Sequence, residues 1–357
     1  MSFPKKILFV GLGGAGQRHL RIFRDTLPAG TELIAYRRTS ATPLLRPDFT
    51  VDDSRSLEAA YGVKMLDSLP AAFAERPDLA VISTPTACHR EPMLMAAEAG
   101  CGVFVEKPWA ENLSGFAHFR SRVEAQNLPF QISFQRRFHP LIARAREAVT
   151  SGLIGRPMAA NFTVFSDVRA WHPYEDWRKL YAVRADLGGG VLLTEIHEID
   201  LAYWFFGLPE AVFCSSGNRS GVPLEVEDTV QISLLYPGFC VGITLCFMHA
   251  KPSRSFHIAG SEGDIAWDAK DNRLVLSSRA SGVEEKSDPG YPNDAMFIAQ
   301  AQQFLRHWAA GDTENALNAA AASLAIVEAA KRSIASGAPE AVDDSCISQH
   351  KPWSGNE

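Results

Sequence analysis

The segment KILFVGLGGAGQRHLRIF, residues 6–23, constrains the fold more than any other part of the chain. KILFV is a continuous apolar run, the pattern of a strand covered on both faces. Gly11-Leu12-Gly13-Gly14-Ala15-Gly16 follows as a G-x-G-x-x-G turn, and QRHLRIFRDTL then reads as a helix. A glycine turn alone is a weak signal; between a buried strand and a helix start it is a strong one. Glycines allow the tight turn and let backbone approach a phosphate closely. The helix N-terminus adds unpaired N–H groups and partial positive charge. The arrangement predicts a dinucleotide pyrophosphate held by Gly11, Gly13, Gly14, Ala15 and Gly16 at the edge of a parallel sheet.

Alternation continues through the first third of the chain. LIAY (33–36), VKML (63–66), LAVIS (79–83), GVFVE (102–106) and FQISFQ (130–135) supply further strands. Helices lie between them: LPAAFAERP capped by Ser68, PMLMAAEAG from Pro92 to Gly100, and GFAHFRSRVEAQN capped by Ser114. Such alternation implies βαβ units. After about residue 140 the pattern changes. PLIARAREAVTSG is a helix ending at Gly152, AANFTVFSDV a strand, and GGGVLLTEIHEIDLAYWFFG a single helix bracketed by glycines. Two strands then flank a Tyr236-Pro237-Gly238 turn, more follow in SFHIAGSEGDIAWDAKDNRLVLSS, and a helical region over 294–336 breaks at Gly311. The predicted fold class is α/β plus α+β. A dinucleotide-binding Rossmann domain spans 1–127, and a domain with a large, open, mostly antiparallel sheet spans 128–340. A polar tail, 341–357, closes the chain, and the last twenty residues of the chain are expected to be poorly ordered.

Composition narrows the function. The chain has 357 residues, 46% hydrophobic and 21% charged, the balance of a soluble globular protein with room for two domains. The net charge is −6 and no long basic run occurs, which gives nucleic acid or an anionic membrane no electrostatic footprint. No run of about 18 apolar residues predicts a membrane span. The N-terminal stretch MSFPKKILFVGLGGAG has no proper signal-peptide core or cleavage site. The six cysteines include no CxxC and no Cys/His cluster with zinc spacing, so no metal is expected and a reduced, cytoplasmic protein is.

Strand ends carry the chemistry in such sheets. The second strand runs LIAYRRTS, with Arg37 and Arg38 where an NAD site usually has an acid for the ribose 2′-hydroxyl. Arginine suits a 2′-phosphate, so NADP(H) is expected over NAD(H). VISTPTACH places Ser83, Thr84, Pro85 and His89 at one strand end, and VFVEKPWAEN places Glu106, Lys107 and Pro108 at another. The Lys107 ammonium can donate to a substrate hydroxyl or carbonyl. A surface ion pair with Glu106 is the alternative, although adjacent strand residues point to opposite sides.

GLGGAG, STPTACH, EKP and GGGVLLTEIHEIDLAYWFFG together resemble the Gfo/Idh/MocA oxidoreductases, over residues 5 to about 336. The resemblance implies a nicotinamide-dependent dehydrogenase or reductase of sugars or polyols, with homodimers or homotetramers built through the C-terminal sheet. It makes Lys107 the lysine on the reacting hydroxyl, Glu106-Lys107-Pro108 the lining of the nicotinamide site, and the Lys107-Pro108 peptide cis. It also makes His197, in H-x-x-D with Asp200, the catalytic histidine; read alone, a mid-helix histidine on an apolar helix is more often a packed core residue. One departure stands out. Family members often carry D-x-G-x-H, but Leu193 occupies the aspartate position here. Thr194, three residues before His197, is expected at the substrate instead.

Substrate recognition is expected from DVRAWHPYEDWRKLYAVRADLGGG, with Trp171, Tyr174 and Trp177 stacking on a sugar ring and His172, Asp176, Arg178 and Arg184 binding hydroxyls, a carboxylate or a phosphate, which leaves an acidic or nucleotide-linked sugar open. Arg136 and Arg137 join from FQRRFHP. Three functions fit these residues: an NADP(H)-dependent sugar or polyol oxidoreductase, a cofactor-binding regulator without turnover, or an enzyme that oxidises and re-reduces a sugar on a tightly held cofactor.

Overall fold

The structure, a computed structural model, describes residues 3–39, 42–308 and 313–348. Its first sheet contains β1 (Lys6–Val10), β2 (Glu32–Tyr36), β3 (Lys64–Leu66), β4 (Leu79–Ile82), β5 (Gly102–Val105) and β6 (Phe130–Ile132), all parallel, in the order β3-β2-β1-β4-β5-β6. The order reverses between β1 and β4, the point at which open parallel sheets bind ligands. Register aligns the strand ends: Val10 faces Ile82, and Ile82 faces Val105. Gly11, Ser83 and Glu106 therefore leave the sheet side by side. The sheet draws β6 from beyond residue 127.

Helices α1 (Gly14–Thr26), α2 (Leu57–Tyr61), α3 (Leu69–Ala74), α4 (Arg90–Glu98) and α5 (Phe116–Gln126) connect these strands. Ser68 accepts from the Ala71 N–H as expected of a cap. Ser114 does not cap α5; Gly115, in the left-handed region at φ 81°, occupies that position without a side-chain bond. The second half begins with α6 (Pro140–Thr150) and builds a nine-stranded sheet from β7 (Pro157–Asp167), β8 (Ala211–Gly217), β9 (Thr229–Tyr236), β10 (Phe239–Cys246), β11 (Met248–Gly260), β12 (Gly263–Asp268), β13 (Arg273–Ser278), β14 (Gly282–Ser287) and β15 (Glu340–Ala341). Among the described residues its only parallel pair is β7–β10. Burial alternates along β9 and β10, the mark of a sheet covered on one face.

The glycine-bracketed segment is two helices, α7 (Val191–Thr194) and α8 (His197–Phe206), where the sequence pattern predicts one. Glu195, at φ −102° and ψ 32°, interrupts the helical path. The cause is tertiary: the Thr194 carbonyl, which would accept the Glu198 N–H in a continuous helix, accepts the Lys107 ammonium at 2.6 Å. His197 thus opens α8 instead of sitting within a longer helix.

The last helices are α9 (Asp294–Arg306) and α10 (Thr313–Ser336); the break expected at Gly311 lies outside the described residues. Phe297, Ala301, Phe304 and Leu305 of α9 pack into one core with Ile7, Phe9, Phe23 and Phe104, so the chain returns to cover its own first sheet. Residues 341–348 of the tail are anchored where poor order is expected; the rest of the tail lies outside the described residues. The nearly buried Arg120 guanidinium donates to the Cys346 carbonyl at 2.7 Å, and Ser348 N donates to Asn318. All six cysteines are free, and no described helix is long and apolar enough to cross a membrane.

Candidate active site

The glycine loop is shaped for close approach. Gly11 adopts φ 89°, and a Cβ on Gly16 would collide with the Gly11 carbonyl oxygen. Gly13 caps α1 without any side-chain bond, and a Cβ there would meet nothing within 4 Å. The first N–H groups of α1 are thus left for a ligand. Beside them, Ser83 Oγ, Thr84 Oγ1 and Thr86 Oγ1 are buried without a protein partner. These residues fit a dinucleotide diphosphate. Arg37 is half-buried and committed to its own loop: it donates to the Thr42 carbonyl at 3.2 Å and lies 3.7 Å from Glu58. Arg38 is exposed.

Two strand-end residues are held rather than open. His89 is buried, with Nδ1 2.8 Å from the Pro108 carbonyl and Nε2 2.8 Å from the Thr84 carbonyl, so its ring clamps two strand-end loops together. Burial lowers its pKa against the opposing pull of those carbonyls. The Lys107-Pro108 peptide is cis. Glu106 does not pair with Lys107 across the chain; its Oε1 lies 2.6 Å from His19 Nε2. Burial pushes the Glu106 carboxyl up, but the His19 bond and the charges of His19, Lys107 and Arg18 outweigh it and hold it at about 2. His19 was not foreseen from the sequence. The available signal is its position one helical turn after Gly16, on the face that also carries Phe23.

The aromatic loop divides between locations. His172 stacks on Phe49 at 6.2 Å and on Tyr174 at 5.1 Å, and the Tyr174 hydroxyl comes within 2.9 Å of where a Gly14 Cβ would be. His172 and Tyr174 are therefore placed against the glycine loop, although a substrate role is expected of them; ring stacking on Phe49 draws them there. Trp171 packs against Phe247 at 6.3 Å. Asp176 and Arg178 are exposed and pair with each other at 3.2 Å, and Arg184 pairs with Asp186 at 2.6 Å. Trp177 packs on the core under the Arg178 guanidinium, 4.7 Å away.

Lys107 and His197 meet at the α7–α8 break. Thr194 joins them through its carbonyl, because its hydroxyl donates to the Gly190 carbonyl at 2.8 Å. His197 is buried, with Nε2 3.4 Å from the Gln135 amide nitrogen and Nδ1 unpartnered. Burial first, then the charges of Lys107, Arg136 and Arg254, push its pKa well below the usual value. His197 is accordingly neutral at pH 7 and able to accept a proton. Leu193 is buried in the core, and Asp200 is bound by Arg137 at 2.6 and 2.9 Å. The carboxylates near His197 are Glu195 and Glu198, held by Arg254 at 2.7 and 3.0 Å. Tyr181 faces the charges of Lys107, Glu106 and Glu195. Gln135, Tyr181, Glu198 and Arg254 come from separate segments, and no local motif marks them.

Residues 5–134 match the family described as an oxidoreductase family with an NAD-binding Rossmann fold, and residues 142–266 match the GFO/IDH/MocA C-terminal domain. The chain belongs to the Gfo/Idh/MocA family of oxidoreductases. Among its Gfo/Idh/MocA relatives is an "uncharacterized oxidoreductase" of Streptococcus pneumoniae, 26% identical over 191 residues; the match covers 53% of this chain and about half, 51%, of that protein. D-apiose dehydrogenase of Paraburkholderia graminis is 25% identical over 341 residues, covering 90% of this chain and 85% of the relative. A levoglucosan dehydrogenase in complex with NADH and levoglucosan superposes with a TM-score of 0.78 at 18% identity, over 94% of this chain and 99% of the other. That likeness shows the shared fold: a Rossmann sheet joined to an open, mostly antiparallel one.

Proposed function

We propose that the protein is an NADP(H)-dependent oxidoreductase that acts on a hydroxyl-bearing carbon of a sugar, polyol or sugar derivative. The observation that carries this reading is the Lys107–Thr194 hydrogen bond, which sets an ammonium and a neutral histidine together at the strand edge that also bears the glycine loop. The relatives' activities on apiose and levoglucosan support the substrate class.

When bound, the nicotinamide accepts or returns the hydride. The glycine loop would hold the diphosphate, with Ser83, Thr84 and Pro85 beside it. Arg38, exposed at the end of β2 where no acid stands, would meet a 2′-phosphate; Arg37 supports that loop from behind. Lys107 donates to the substrate oxygen and stabilises its developing charge. His197 takes the hydroxyl proton during oxidation and returns it during reduction. Glu106, anchored by His19, fixes the start of the Lys107 loop, and His89 ties that loop to Thr84. We also assign assembly to the uncovered face of the antiparallel sheet.

A panel of sugars, polyols and sugar acids, tested with NADP⁺ and with NAD⁺ and followed by absorbance of the reduced nicotinamide, decides the matter. Turnover with NADP⁺ favoured is expected. NAD⁺ serving equally well removes the role given to Arg38. Binding of cofactor with no turnover anywhere on the panel would favour the regulator.

A further inference from the structure

Arg136 and Arg137 are neighbours in sequence but not in circumstance. Arg137 has a carboxylate, Asp200, in a forked pair. Arg254, which faces the same pocket, has Glu195 and Glu198. Among the described residues Arg136 has no ion pair and no side-chain hydrogen bond, and its Nε is buried without a partner. The guanidinium lies within the electrostatic reach of His197, Arg254, Glu195 and Glu198. Close by, Gln135 Oε1, His197 Nδ1 and Glu198 Oε2 are also buried and unpartnered.

The three cations around His197 differ in their partners. Arg254 engages Glu195 and Glu198, Lys107 donates to the Thr194 carbonyl within the field of the ionised Glu106, and Arg136 has no carboxylate of its own among the described residues. A half-buried guanidinium with its Nε shielded and unpaired calls for a planar anion, which it can hold through two parallel N–H···O bonds; a neutral hydroxyl uses neither its charge nor its fork.

We propose that the substrate is a hydroxy acid, a sugar or polyol derivative bearing a carboxylate, and that Arg136 binds this carboxylate while the reacting hydroxyl lies between Lys107 and His197. The inference rests on the oxidoreductase reading and narrows it to an acidic class. Arg136 becomes the residue that discriminates acid from neutral sugar, and the missing anion at the site is the substrate's own.

The test uses matched pairs with the full-length protein: D-gluconate against D-glucitol, galactarate against galactitol, and methyl glucuronide against methyl glucoside, in wild type, Arg136→Met and Arg136→Lys. The acid of at least one pair should exceed its neutral partner more than tenfold in kcat/KM. Arg136→Met should raise KM for that acid at least tenfold and leave the cofactor Kd unchanged, with Arg136→Lys between the two. Neutral partners that match or exceed the acids in wild type overturn the proposal without recourse to a variant, and so does an Arg136→Met effect equal on acid and neutral. If nothing is turned over although NADPH binds, calorimetric titration of the acids into the NADPH-loaded protein decides, and absence of binding overturns it. A chain that binds no nicotinamide cofactor at all fails at the oxidoreductase reading instead.

Discussion

The glycine loop and the histidine pocket are built in opposite ways. Gly11–Gly16 is one contiguous turn between β1 and α1, and its binding groups are backbone N–H donors. The pocket takes Lys107 from the end of β5, Gln135 and Arg136 from the segment after β6, His197 and Glu198 from α8, and Arg254 from β11. Its groups are side chains, with Gln135, His197 and Glu198 buried, Lys107, Arg136 and Arg254 half-buried, and several polar atoms left unpaired. A backbone site tolerates little change of shape but much change of side chain. A site assembled from distant side chains depends on each of them separately, and on their being kept dry.

Substitutions can separate the two regions. Lys107→Ala should lower turnover about a thousandfold by removing the donor to the developing charge. His197→Asn should lower it about a hundredfold and flatten the pH profile. Both should leave cofactor Kd, measured by nicotinamide fluorescence, within a few-fold of wild type. A large loss of cofactor affinity in Lys107→Ala would merge the two regions. Gly16→Ala reverses the pattern: its Cβ collides with the Gly11 carbonyl, and the misfit of about 2 kcal/mol corresponds to roughly 30-fold weaker cofactor binding. An unchanged Kd would detach the loop from the cofactor.

Acid should act mainly through the buried histidines. His139 has its pKa pushed from 6.5 to about 4, by burial first and then by the charge of Arg136, and burial lowers His89 and His197 as well. Between those limits the unfolded chain binds protons that the folded chain does not, so stability falls as pH drops. His139 alone accounts for on the order of 3 kcal/mol across the window. A thermal midpoint unchanged between pH 7 and pH 5 would contradict this.

The same contrast explains what could be read from the sequence. The loop, the strand ends and the cis peptide before Pro108 lie in contiguous motifs, and the structure has each of them where the pattern or the family resemblance places it. The break between α7 and α8 could not be read, because its cause, the Lys107 ammonium on the Thr194 carbonyl, comes from a segment remote in sequence. His172 and Tyr174 were legible as aromatic-loop residues but not as neighbours of Gly14, since stacking on Phe49 decides their position. The Leu193 departure was visible at once. What stands near His197 in place of an aspartate was not, because Arg254 and its two glutamates meet only in the folded chain.

The Lys107–Thr194 bond also joins the two sheets. One partner ends a strand of the parallel sheet, and the other closes a helix that belongs with the antiparallel sheet. Any separation of the sheets therefore draws the ammonium away from the histidine. The reacting groups straddle the seam between the sheets, so the bond that places the ammonium is at the same time a tie across that seam.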